Sequence, residues 1–270
     1  MSADSSPGSS SEPHAENVAR ERLPNTSVSG VLGESVARVA TDPRLALPFV
    51  VAGLVLTAVG RLRLRDPIPT TMPDLAGDMT VRIAFHLYPS GLRVTGTRPA
   101  ALVDLEPGYL AWAVGSELAA FLAVGVAGWL TLSRAADAGW GVRSPGRPLV
   151  SYLGFVVAAK IFLRSLAVFD GLGLFAVVGL VVFAVVSVRL FAAPALVVTG
   201  RGLGAAVRES ARRSVGEGAT VFGLVVLFGL SAWLLGSVPV VGTFLSTAVV
   251  APIHAVCAVV FVKSTGERHR

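Results

Sequence analysis

Four ionisable side chains stand inside otherwise apolar runs: Glu117, Lys160, Arg164 and His254. A charge in hydrocarbon is costly, so such residues turn into a helix bundle, pair with one another, or line the path of a solute or proton. Glu117 lies about 12 Å below one boundary of its run if that boundary is near Tyr109, at 1.5 Å per residue. Lys160 lies about 13 Å below the same surface in a neighbouring run, with Arg164 one turn nearer to it. The matching depths predict an intramembrane pair in which Glu117 contacts Lys160 or Arg164 across two helices, because paired charges compensate each other's desolvation. His254 follows Pro252 by two residues. It is read as a neutral imidazole bonded to a carbonyl that the proline frees, in preference to a proton relay.

The second chemical cluster is basic. "GRGLGAAVRESARRSVGEG", residues 200–218, sits between long apolar runs. At helical spacing Leu203, Ala206, Val207, Ala211, Ser214 and Val215 share one face, and Arg208, Glu209, Arg212 and Arg213 the other. Glu209 and Arg213 are spaced to pair at i, i+4. The pattern predicts an interfacial helix over 200–215 whose Arg208, Arg212 and Arg213 contact anionic lipid, at about 1 kcal/mol each.

Other chemistry is not encoded in recognisable form. There is no GxxxxGK[ST] phosphate loop, no HExxH and no GxSxG, and His14, His86, His254 and His269 are scattered. The lone Cys257 excludes an intrachain disulfide or a CxxC site and reads as a small buried hydrophobe. The expectation is therefore of no catalytic residues, no metal and no cofactor.

The elements that hold these residues are membrane spans. Hydrophobic residues make up 53% of the chain and charged residues only 15%, with a mean hydropathy of +0.69; soluble domains carry about a quarter charged residues. The apolar residues come in unbroken runs, which predict six transmembrane helices near 45–60, 108–133, 149–169, 171–188, 219–236 and 243–262. The first rises only about 24 Å, so its flanking arginines must snorkel. Residues 219–262 hold no Asp, Glu, Lys or Arg and split at "GSVPVVGT". The third and fourth runs meet at Asp170 and Gly171, as in a tight hairpin. Pro194 and Pro252 are placed to kink or end spans. Gly115 with Ala119, and Gly154 with Ala158, have the small-xxx-small spacing of close helix contacts.

Outside the spans, residues 1–43 are rich in Ser, Pro and charge and read as a disordered tail. Within that tail, Val28, Val31, Leu32, Ser35, Val36 and Val39 recur at helical spacing, as in a helix on the membrane surface. In the long connection 61–107, Val81, Ile83, Phe85 and Leu87 alternate with polar or small residues, a turn follows at Pro89–Gly91, and Leu92 and Val94 resume. That pattern predicts an extracytoplasmic β-hairpin capping the bundle. Most of the 23 Lys and Arg residues fall on one side of a six-span layout, in the tail, around 134–147, at 189–213 and after Lys263. The positive-inside rule then makes both termini cytoplasmic, in a multi-pass protein of the cell membrane whose domain runs over 44–263.

"FAAPALVVTGRGLGAAVRESARRSVGEGATVFGLVVLFGL" also resembles a family. It is similar to multi-pass membrane proteins of archaea and bacteria that include the membrane domain attached to glycerophosphodiester phosphodiesterases. Pro194, Ala205, Ala206, Ser210 and Ser214 stand where that family has a proline-containing segment and a short Ala…Ser…Arg helix between spans. "SVPVVGTFLSTAVVAPIHAV" is similar to its closing hairpin, so the resemblance covers about residues 185–262. It implies architecture and no phosphodiesterase activity, because no such catalytic domain accompanies it. Abundant arginine and valine beside scarce lysine resemble haloarchaeal usage, without the acidic excess.

The expected function is that of a non-enzymatic membrane or envelope component. Its expected partners are anionic membrane lipids, with another membrane protein as the second class. The net charge of +6 is not read as nucleic-acid binding, because basic and aromatic residues are not interleaved. The alternative is a small-solute transporter or permease component, supported by the intramembrane charges and the two prolines.

Overall fold

In a computed structural model the described residues are 27–66, 70–71, 86–92, 96–97, 105–137, 146–166 and 174–268. The fold is all-helical. Helix α1 covers Val28–Thr41, α2 Leu47–Arg63, α3 Pro107–Asp137, α4 Gly146–Leu166, α5 Leu174–Leu190, α6 Ala193–Val198, α7 Leu203–Arg213, α8 Gly218–Gly236, α9 Gly242–Leu245 and α10 Ala251–Arg268. A 3-10 turn at Pro43–Leu45 leads into α2, and a π-helical turn at Ser246–Val250 joins α9 to α10. Six stretches are long and apolar enough to cross a membrane: Pro43–Arg63, Pro107–Ala136, Pro148–Leu166, Val177–Val198, Gly218–Gly236 and Gly242–Glu267. Three of them open with a proline, whose missing N–H costs nothing in the first turn.

The spans pack antiparallel. The Thr131 hydroxyl, late in α3, donates to the Leu45 carbonyl at 2.9 Å, and Arg63 at the end of α2 meets Ser116 near the start of α3. The face carrying the start of α2 and the end of α10 is called the terminal face below.

Helix α10 is the centre of the bundle, packed by α1, α3 and α6. Ala251, Ala255 and Ala258, with Val256 and Cys257, are fully buried. Lipid tails are as apolar as leucine, so hydrophobicity alone does not draw helices together, and small side chains that allow close approach decide which helix is central. Helix α5 shows the opposite choice, with Val178, Leu180, Val181 and Val185 all turned outward.

Both predicted breaks occur, each where a proline removes a ladder bond. Before Pro194 the chain turns at Phe191–Ala192, where a continued helix would set the proline ring against the Leu190 carbonyl. The whole of α6 that follows is buried. Before Pro252 the last span widens into its π-turn, which re-registers the carbonyls that the proline cannot bond.

Four expectations need correction. First, the helix expected within the 1–43 tail forms, but it packs into the bundle instead of lying on the surface. Residues 28–41 form α1, capped by the Ser27 hydroxyl accepting from the Gly30 N–H, and its Val31 and Ser35 are buried against α10; residues 1–26 lie outside the described residues. Second, the β-hairpin is not formed where it is described. Residues 86–92 are irregular and pack into the bundle, 81–85 and 93–95 lie outside the described residues, and the described pairing of this connection is the two-residue bridge of Thr70–Thr71 with Gly96–Thr97. Third, Gly115, Ala119, Gly154 and Ala158 face outward. The close approach of α3 and α4 is made instead at Gly125 and Gly128, where a Cβ would collide with Leu153 and with the Tyr152 hydroxyl. Fourth, the helix expected over 200–215 forms as α7, but Arg213, expected on its lipid side, is turned inward, as shown next. The expected hairpin at Asp170 and Gly171 lies outside the described residues.

Candidate functional site

Three polar groupings stand out in the bundle. The first joins α2 to α3. The Arg63 side chain is only 4% exposed, and its Nη1 donates to Glu117 Oε1 at 2.7 Å. Its Nε and Nη2 both donate to Ser116 Oγ, at 3.1 and 2.6 Å, and Ser116 Oγ donates in turn to the Ala113 carbonyl at 3.0 Å. A buried guanidinium needs this many acceptors, because each unsatisfied N–H would keep its desolvation penalty. Nearby, the Trp112 indole N–H donates to Asp66.

Glu117 is expected to pair with Lys160 or Arg164 on the third span; among the described residues it forms an ion pair with Arg63, on the first. Lys160 is half-buried with its Nζ 5.4 Å from the centre of the Phe121 ring, a cation–π contact. Arg164 is exposed near the end of α4. The sequence concealed Arg63 because the first apolar run stops at Gly60, whereas the helix continues for three residues and carries Arg63 back onto α3.

The second grouping surrounds the inserted segment 86–92. The Leu92 N–H donates to Ser246 Oγ at 2.8 Å, and Gly91 lies so close to Thr247 that a Cβ would not fit. The segment thus docks on the π-turn of the last span. The His86 and Tyr88 rings are 5.7 Å apart. Together with Ser90, Phe121 and Lys160 they line a cavity of about 110 Å³. The hydroxyls of Ser90, at the cavity, and Thr247, beside Gly91, are buried without a hydrogen-bond partner among the described residues. The His254 ring is stacked on Phe228 and Phe191 at centroid distances of 5.0 and 5.5 Å.

The third grouping is α7 on the terminal face. Gly200 and Gly216, both with φ near +90° (88° and 86°), set the helix off from its neighbours, a backbone conformation that glycine takes without a Cβ penalty. Ala206 and Ser210 are buried. Ser210 Oγ donates to the Arg189 carbonyl at 2.7 Å and Ser214 Oγ to the Val188 carbonyl at 2.9 Å, while Arg189 Nη1 donates to the Ala211 carbonyl at 3.0 Å.

Arg213 completes the clamp. Its Nη1 donates to the Val262 carbonyl at 2.7 Å and its Nε to Glu209 at 2.8 Å. Its side chain is only 12% exposed against 77% for Arg212. Arg213 was expected to touch lipid; it is instead turned inward onto α10. Arg208 and Arg212 remain outward. The hydrogen bond from Arg213, helped by the nearby charges of Arg213, Arg212 and Arg201, holds the Glu209 carboxyl below its usual range despite partial burial.

Among the described residues no group of three His, Cys, Asp or Glu side chains is placed to hold a metal ion. No protein-family model, no curated relative and no solved structure matches this chain, so its geometry alone bears on what it does.

Proposed function

We propose that this chain is a non-enzymatic component of the cell membrane, with both termini cytoplasmic, that holds an arginine surface against the anionic inner leaflet. The observation that carries the reading is the division of labour in α7. Arg213 and the serines lock the helix to the bundle, leaving Arg208 and Arg212 outward on the terminal face. The clamp supports a rigid platform rather than a mobile loop, and rigid placement lowers the entropic cost of each lipid contact. The resemblance of residues 185–262 to the phosphodiesterase-associated membrane domain supports a multi-pass membrane architecture, and the anionic-lipid partner is read from the outward arginines.

Hydrogen exchange over residues 203–213 tests it in bilayer discs of anionic or of zwitterionic lipid. Protection is expected to be greater in the anionic disc, to fall with salt, and to lose its lipid dependence in Arg208→Gln/Arg212→Gln. Equal protection of the native chain in both discs refutes it.

The polar cavity beside Lys160, His86, Tyr88 and Ser90 favours a second reading, passage of a small solute. Solute flux into proteoliposomes that Lys160→Met abolishes without lowering the melting temperature would favour it.

A further inference from the structure

On the face opposite the termini, the end of α2 and the Ser237–Val241 turn enclose a groove of about 520 Å³. That volume is in the range of small-molecule sites. Its walls include Leu56, Leu64, Val238 and Val240. The hydroxyls of Thr57 and Ser237, which also line it, donate to the carbonyls of their own helices, Gly53 at 2.8 Å and Trp233 at 2.7 Å. Their donors are spent, which leaves Thr243 as the other hydroxyl in mostly apolar walls, and Arg61 is the charged group that lines the groove.

Arg61 differs sharply from Arg63. Arg63 is buried and fully engaged by Glu117 and Ser116, whereas Arg61 is exposed and has no ion pair among the described residues. Two residues along a helix turn a side chain about 200° around the axis, so Arg63 faces α3 and Arg61 faces the groove. Counted from Pro43, Arg61 stands about 27 Å along the span, near the far edge of a hydrocarbon core of about 30 Å. The headgroup layer begins just beyond that edge, within reach of a snorkelling arginine side chain. Arg65 is one turn away and also exposed, so among the described residues two exposed arginines stand at this end of α2 beside one acid, Asp66.

The rim supports the same occupant. Val240 has φ 70° and is the one non-glycine with positive φ among the described residues, a conformation that a β-branched side chain seldom adopts. It is also 72% exposed, beside outward-facing Val238 and Val241. An apolar tip held in a strained backbone is unfavourable in water and matched by acyl chain.

We infer that this groove binds one anionic phospholipid, its phosphate on Arg61 and an acyl chain along Leu56, Leu64 and the valine rim. The site is on the opposite face from α7 and does not depend on the arginine platform. Its test therefore uses the full chain with Arg208→Gln/Arg212→Gln as background, which removes that platform as a competing lipid site. The detergent-solubilised protein is titrated with phosphatidylglycerol or phosphatidylcholine, and bound lipid is counted by native mass spectrometry. Phosphatidylglycerol is expected to fill the first site at lower concentration than phosphatidylcholine. Arg61→Gln is expected to weaken that first binding by about tenfold, the size of one charge-assisted hydrogen bond, while Arg65→Gln retains most of it. Thr57→Phe, which fills the groove and keeps Arg61, is expected to weaken both lipids. Equal binding of the two lipids to the background protein, or unchanged binding in Arg61→Gln, overturns the inference. So does a groove found occupied by a co-purifying transmembrane helix.

Discussion

Arg63 and Glu117 show how an intramembrane charge is tolerated. The guanidinium is enclosed while the carboxylate stays 37% exposed, so the two ends of the pair are unequal. Replacing Glu117 by Gln strands a buried cation, and the expected loss is about 1 to 2 kcal/mol of stability in detergent, limited by the acceptors that Ser116 still offers. Arg63→Met combined with Glu117→Gln should recover part of that loss. Thermal melts of the single and double variants check this. Additive losses for Arg63 with Glu117 would show the pair to be uncoupled.

The joint between α3 and α4 is decided by one missing methyl group. Gly128 leaves room for the Tyr152 hydroxyl, which has no hydrogen-bond partner among the described residues. Gly128→Ala is expected to cost about 1 to 3 kcal/mol by overpacking. Tyr152→Phe removes the obstructing oxygen together with an unsatisfied polar group, so alone it should be neutral or stabilising. In the double variant it should rescue most of the Gly128→Ala loss. Melting temperatures in one detergent suffice, and a Gly128→Ala loss that Tyr152→Phe leaves untouched would place the clash elsewhere. Packing of this kind was only half legible in the chain. Small residues were visible as a class, but the outward Gly115 and Gly154 could not be told from the inward Gly125 and Gly128, because a uniformly apolar span has no polar stripe to mark its lipid side.

At the scale of the whole molecule, six spans bring the start of the first and the end of the last to one face. Topology is tested by single cysteines in a Cys257→Ser background, treated with an impermeant thiol reagent on sealed cells. Ser264 is a poor reporter because it is buried and would fail to label on either side. Exposed Glu106, Arg208 and Glu267 serve better. Glu106→Cys should label, whereas Arg208→Cys and Glu267→Cys should label only after the cells are opened. Labelling of Glu267→Cys in intact cells would invert the orientation proposed above.

The number of spans and their approximate limits follow from the sequence by itself, because the bilayer imposes a length and an apolar composition that each segment must meet alone. The amphipathic 203–213 helix and the proline breaks are legible for the same reason, since their signals lie within a few residues of chain. Which span is central, which arginine turns inward and where residues 86–92 dock were decided only in the tertiary structure. Those outcomes depend on contacts between residues far apart in the chain, such as Arg63 with Glu117, Arg213 with Val262 and Leu92 with Ser246. Hydropathy ranks α5 and α10 alike as membrane helices, and only the fit of alanine and glycine against larger side chains separates a lipid-facing helix from a buried one.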